Sequence, residues 1–317
     1  MRRLCASAVA STLLSLLVGC GSGPPVGPPR ARPATPPPAL TPAATPVAQR
    51  PLPTPTAAPN AQWAATAPPI PILMYHVIAN PPANDPANGL YVSPSLLSAQ
   101  VSALAAAGYE AITLQRAYDI WSGAAARPPL PVVLSFDDGY ISVYDHALPT
   151  LAARGWPGVL NLQVGRIGVP GGLTATEIAA MVRAGWEIDD HTVTHPDLTR
   201  LTGPRLTREI SGAAGDIRRQ FGVPVHFFCY PAGRYDPAVV AAVRAAGFLG
   251  ATTTWPGDAY PPTEGLWTLD RVRVVAGESG AALLANLRNN ARALPAAPPV
   301  RFPPPEAVQG RRSSAVV

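Results

Sequence analysis

The chain has 317 residues, 47% of them hydrophobic, which is enough for one large domain or two small ones with a substantial core. Charged residues make up 14%, the formal net charge is +5, and every one of the 24 positive side chains is arginine. These arginines are scattered, with no run of five or more, so the charge reads as a compositional habit and nucleic acid is excluded as the expected partner.

Arg2 and Arg3 precede an apolar stretch from Ala6 to Val18 and then Gly19-Cys20, the pattern of an export signal. The stretch is shorter than the ~20 residues that span a bilayer. Leu17-Val18-Gly19-Cys20 resembles the bacterial lipobox, which implies cleavage after residue 19 and membrane attachment through a lipidated Cys20; an ordinary secretory signal is the alternative. Either way the expected location is extracytoplasmic. Cys229 is then the one unmodified cysteine of the mature chain, and no internal disulfide is expected. Residues 20–69 are Pro-, Ala- and Thr-rich without apolar periodicity and read as an extended, disordered linker.

The folded part, 70–290, opens with an apolar strand, Ile70–Ile78, carrying His76 near its end. Ser93-Pro94-Ser95-Leu96 starts a capped helix that stops at Gly108. A strand from Glu110 to Leu114 and a short helix from Tyr118 to Trp121 follow. Val132–Phe136 is a buried strand ending in Asp137-Asp138-Gly139. Helical spacing from Tyr144 to Ala153 leads into a strand at Gly158–Val164. Thr174 to Glu177 has capping-box spacing and begins a helix ending near Gly185. Strands at Trp186–His191 and Val225–Tyr230 flank a helix at Leu206–Phe221. A helix from Asp236 to Ala246, a strand at Phe248–Thr253 and one or two more strands within Trp267–Val275 complete the series. Alternating strands and helices with short connections predict an α/β fold, a distorted (β/α) barrel of about seven strands, with its closure left open. Residues 291–317 read as a Pro-rich disordered tail.

Two adjacent carboxylates at a strand end need a counter-charge, and a metal ion is the usual one; a plain Asp-Gly turn is the alternative. His191-Thr192-Val193-Thr194-His195 places two imidazoles four residues apart, so on a helical turn both could reach one ion, and with a carboxylate they leave a position for water.

Ser135-Phe136-Asp137-Asp138-Gly139 with His191-Thr192-Val193-Thr194-His195 resembles the first two motifs of the polysaccharide deacetylases with a NodB-homology domain. The resemblance continues through Phe228–Tyr235 and Leu269–Val274. It implies that Asp138, His191 and His195 bind a divalent ion, zinc or else cobalt or nickel, and that Asp137 is the general base. It implies a backbone N–H donor for the oxyanion in the third motif, here Ala232. The arginine that pairs with the base in the family is replaced by Cys229, so the cation is expected from Arg271, Arg273 or Arg234. No histidine follows His226, although the family's late motif often supplies a histidine as general acid. Of His76, His146 and His226, only His76 lies near a strand's carboxyl end, and Met74-Tyr75-His76 resembles the start of the poly-N-acetylglucosamine deacetylase branch, where an early histidine is the acid. His76 is therefore the expected general acid. Asp189 and Asp190 read as strand-end charges, with one of them orienting a ligand histidine as the alternative, and Tyr140, Tyr230, Tyr235, Trp255 and Trp267 as a candidate sugar-stacking wall.

The expected activity is metal-dependent hydrolysis of N-acetyl groups from an extracytoplasmic polysaccharide containing N-acetylglucosamine. An O-acetyl polysaccharide esterase and a non-catalytic glycan-binding lipoprotein are the alternatives.

Overall fold

The computed structural model describes residues 68–82, 88–261 and 265–292. The expected signal peptide, the expected linker apart from Pro68 and Pro69, and the expected tail beyond Arg292 lie outside these residues.

Eight strands form among the described residues: β1 (Ile72–Tyr75), β2 (Glu110–Ala111), β3 (Pro131–Asp137), β4 (Val159–Leu162), β5 (Glu187–Asp190), β6 (Phe227–Cys229), β7 (Gly250–Pro256) and β8 (Leu269–Arg273). Every neighbouring pair is parallel. Seven close a ring in the order β1-β3-β4-β5-β6-β7-β8 and back to β1, while β2 pairs only with the first two residues of β3. The expected barrel of about seven strands is thus present. The closure is made by β1, which pairs Ile72–Tyr75 with Val133–Phe136 on one side and Leu73 and Met74 with Val272 and Arg273 on the other.

Side chains alternate along each strand, so each contributes one set to the barrel interior and one to the helical layer. Leu73, Tyr75, Leu134, Phe136, Leu160, Ile188, Phe228 and Val272 join the outer core with the helices. Ile72, Val133, Val159, Phe227 and Leu269 form an inner cluster with Leu114, Ala117, Ile120 and Trp121, so the helix Leu114–Trp121 closes the amino end of the ring. Chain parity then dictates that Ser135 and Asp137, two and four residues beyond Val133, also face inward. The same holds for Asn161, Asp189, Cys229 and Arg271. An apolar lower layer therefore carries a polar upper one.

Two elements differ from expectation. The strand expected over Glu110–Leu114 ends at Ala111, and the helix expected from Tyr118 begins at Leu114. Thr113 Oγ1 caps Arg116 N–H at 3.1 Å, and Glu187, brought in from β5, accepts Gln115 N–H at 3.0 Å. The second partner is tertiary, so local spacing does not announce it. The helix Gly280–Arg292 is an element the sequence reading lacks. It buries Leu283 and Leu287, and a Cβ on Gly280 would sit 2.7 Å from Ala103 Cβ and 3.0 Å from Ala99 O, so glycine permits the close approach to the helix Pro94–Ala106. The expected capping box is present, with Thr174 N–H donating to Glu177 at 2.7 Å and Glu177 N–H to Thr174 Oγ1 at 3.3 Å.

Candidate active site

Asp137, the last residue of β3, is 2% exposed and receives both ends of the Arg271 guanidinium: Nη1 donates to Oδ1 and Nη2 to Oδ2, each at 2.8 Å. Arg271 is fully buried; its Nε–H goes to Thr253 O at 2.7 Å, and Nη1 also reaches Ser135 Oγ at 3.2 Å. Asn161, paired with Asp137 across β3 and β4, donates Nδ2–H to Oδ1 at 2.7 Å. Burial alone would push the Asp137 carboxyl up. The charge and hydrogen bonds of Arg271 outweigh it and hold the carboxyl well below the usual carboxylate range.

Of the three arginines weighed, Arg271 forms this pair. Arg234 is bonded to Asp197 at 3.3 Å, and Arg273 is exposed. Cys229 also reaches this carboxylate, with Sγ 3.8 Å from Asp137 Oδ2. His76, just past β1, puts Nε2 3.7 Å from the same oxygen. Burial draws the His76 pKa below its ordinary value, against the pull of the Asp137 and Asp138 charges.

Asp138 leaves the strand in a left-handed conformation, φ 74°, which swings its carboxylate away from that of Asp137. Its Oδ1 lies 3.4 Å from His191 Nε2 and 3.7 Å from His195 Nε2, and the three ligand atoms all fall within 4.8 Å of one another. His191 Nδ1 is 2.8 Å from Cys229 O. A carbonyl only accepts, so Nδ1 carries the hydrogen and Nε2 keeps its lone pair on the Asp138 side. One carboxylate and two imidazoles, one of them fixed in the ligating tautomer, fit a divalent metal ion. Burial and the Asp138 charge push the Tyr140 hydroxyl pKa up, and Arg166 stacks on the Tyr140 ring at 4.2 Å.

The two histidines are not on a helical turn, contrary to expectation. Thr192 and His195 both adopt left-handed backbone, φ 67° and 57°, so a compact loop brings the rings to 4.8 Å between centroids. Such conformations cost about 1–3 kcal/mol each outside glycine and persist only when their surroundings hold them. The holding groups are present. Asp190 Oδ1 accepts Thr192 N–H at 2.7 Å, Thr192 Oγ1 accepts His195 N–H at 2.9 Å, and Glu209 accepts from both Val193 and Thr194. Asp189 and Asp190 stand at the end of β5 as expected, but fully buried: Asp189 accepts Phe227 N–H at 3.1 Å across β5 and β6.

Ala232 sits on the turn Pro231–Gly233 after β6, exposed and left-handed at φ 52°. The turn is closed by Gly233 N–H to Tyr230 O at 2.8 Å and Arg234 N–H to Pro231 O at 3.0 Å, bonds that do not use the Ala232 N–H. Gly233 is required there: at φ 68°, a Cβ would lie 2.0 Å from Thr254 Oγ1. Among the aromatic candidates Tyr230 and Tyr235 are buried in the outer core, whereas Tyr140, Trp255 and Trp267 are half-buried. Sequence reasoning missed Ser135, Asn161 and Glu209. Strand parity could have found the first two, but no local signal marks Glu209.

The described residues thus bring His76, Asp137, Asp138, His191, His195 and Arg271 to the carboxyl end of one barrel, with the Ala232 turn following β6 at that end. The family profile described as polysaccharide deacetylase matches residues 125–251. YxkH of Bacillus subtilis (strain 168), a protein assigned to the polysaccharide deacetylases, is 30% identical over 232 residues, covering 73% of this chain and 81% of its own. The Streptococcus pyogenes deacetylase PplD, solved in complex with acetate, superposes with a TM-score of 0.65 at 29% identity over 69% of this chain and 98% of that one. BC0361, a polysaccharide deacetylase from Bacillus cereus, superposes with a TM-score of 0.61 at 28% identity over 69% of each chain.

Proposed function

The chain belongs to the polysaccharide deacetylase family, and from that premise we propose that it removes N-acetyl groups from an extracytoplasmic polysaccharide containing N-acetylglucosamine, with a divalent ion held by Asp138, His191 and His195. The observation that carries this reading is the division of labour between two adjacent carboxylates. Asp137 is locked onto a buried arginine, and Asp138 faces two imidazoles.

A bound ion there supplies polarisation of the acetamide carbonyl and a lowered pKa for the attacking water. The protein's own groups do the rest. Asp137, kept ionised by Arg271, takes the proton of the attacking water. The Ala232 N–H, unused by its own turn, donates to the developing oxyanion, and a backbone donor works whatever side chain stands there. His76 hands a proton to the departing amine. Burial makes its imidazolium a stronger acid, which eases the transfer, and Asp137 at 3.7 Å supports the charged form.

His76→Ala should keep wild-type metal content and lower kcat by about 10²–10⁴. Its alkaline limb in the pH–rate profile should vanish as well; full activity in this variant would sink the assignment. The location and the lipid anchor at Cys20 complete the proposal on the N-terminal sequence alone.

The deciding experiment is acetate release from N-acetylglucosamine oligomers and from acetylated xylan, with metal content measured on the same sample. Release from the oligomers, lost on chelation and restored by zinc, cobalt or nickel, is the expected result. Release from xylan alone would replace the reading by an O-acetyl esterase. No bound metal and no release from either would leave a glycan-binding protein.

A further inference from the structure

The loop that carries both histidines is held from outside the barrel by one carboxylate. Glu209 Oε2 accepts the N–H groups of Val193 and Thr194, each at 2.9 Å, and Oε1 accepts the Thr194 hydroxyl at 2.9 Å. Glu209 lies in a π-turn, Arg208–Gly212, set between the helical segments Gly203–Thr207 and Ala213–Phe221. Such a widened turn re-aims side chains within a helix and recurs at functional sites. The three bonds fall between the two left-handed residues of the loop, Thr192 and His195. Thr192 is β-branched, the type that tolerates this conformation least. Without an acceptor at Oε2, the two adjacent amides, on half-buried Val193 and exposed Thr194, would be left to water, which does not fix their direction, and the loop could relax toward ordinary backbone. His195 is the ligand most exposed to that loss. His191 is fully buried and tied to Cys229 O, whereas His195 has a third of its side chain exposed and its N–H is held only within the loop, by Thr192.

We propose that Glu209 is a positioning residue for the metal ligand His195: by holding Val193 and Thr194 it fixes the loop in the one conformation that presents both imidazoles to a single ion, and so sets the affinity of the site. This rests on the metal reading given above. Partners that orient metal ligands typically account for 10–100-fold in affinity or activity.

The test is cobalt and zinc affinity, by competition with a chromophoric chelator, in wild type, Glu209→Ala and Glu209→Gln, with cobalt visible spectra and apo-protein melting curves. Glu209→Ala should weaken binding 10–100-fold and alter the cobalt spectrum. Glu209→Gln should fall between, because its carbonyl oxygen still accepts the two amides but without charge assistance, which roughly halves the strength of such bonds. A merely structural role would lower the apo melting temperature and leave both the cobalt spectrum and the affinity of the folded protein unchanged, and that result overturns the proposal. If the alanine variant does not fold, the glutamine variant decides: wild-type affinity there overturns it. Wild-type protein that takes up neither cobalt nor zinc would overturn the metal reading and this inference with it, an outcome distinct from wild-type binding that the variants share.

Discussion

Asp137→Asn should leave the metal content at the wild-type level and lower kcat/KM for acetate release by about 10²–10⁴. Asparagine has nearly the same shape and keeps one oxygen for Asn161 and Arg271 Nη1, but its amide meets Nη2 and the buried Arg271 charge loses its partner, so a loss of stability accompanies the loss of the base. It cannot take a proton. The ligand set does not include Asp137, and the distances of Asp138 to His191 and His195 do not run through it. Metal analysis alongside acetate kinetics separates the two roles of the paired carboxylates. Retained turnover in this variant would count against Asp137 as the base, and lost metal would show that the two aspartates are not divided as proposed.

Arg271→Met should be the most disruptive single change at the site. The arginine is fully buried with its carboxylate partner, and removing one member of such a pair costs about 3–5 kcal/mol because the other charge is left uncompensated. The pH dependence follows from the sign of the shift. Asp137 has a depressed folded pKa, so the stability it contributes is present above the ordinary carboxyl value of about 3.9 and is lost as pH falls toward the depressed value. Without Arg271 the largest opposition to burial is gone, leaving His76, His191 and the Asn161 hydrogen bond, and the pKa rises. The variant should therefore be less stable than wild type at neutral pH, with the gap narrowing as pH falls and Asp137 becomes protonated. Its residual kcat/KM should show an acid limb moved to higher pH than in wild type. Chemical denaturation at several pH values and a pH–rate profile measure both. An unmoved acid limb would mean that Arg271 does not keep the base ionised.

His76 and Asp137 make the same point at lower cost. Their 3.7 Å separation couples the proposed acid to the proposed base, so Arg271, by fixing the Asp137 charge, also bears on how firmly His76 holds its proton. Cys229 occupies the flank where the family resemblance leads one to expect an arginine, and the guanidinium arrives instead from β8. The same carboxylate is reached by a cation from a different strand of the ring.

The amino-acid order by itself determined the strand that ends in Asp137-Asp138-Gly139, the β/α alternation, the capping box at Thr174 and the identity of the two histidines, because each depends on neighbours within a few residues. Strand parity also decided that Ser135, Asp137 and Asn161 share the barrel interior, although that consequence is readable only once the strands are placed. The tertiary structure alone decided the ring closure through β1, the choice of Arg271 over Arg273 and Arg234, the loop geometry around His195 and the place of Glu209. Each of these joins residues far apart in the chain, from a separation of 15 for Thr194 and Glu209, through 134 for Asp137 and Arg271, to the still longer span between Leu73 and Val272 paired across β1 and β8. Periodicity carries no information across such distances. Two oppositely charged groups far apart in sequence become partners only when the closed ring takes both out of water, where neither can stay ionised alone.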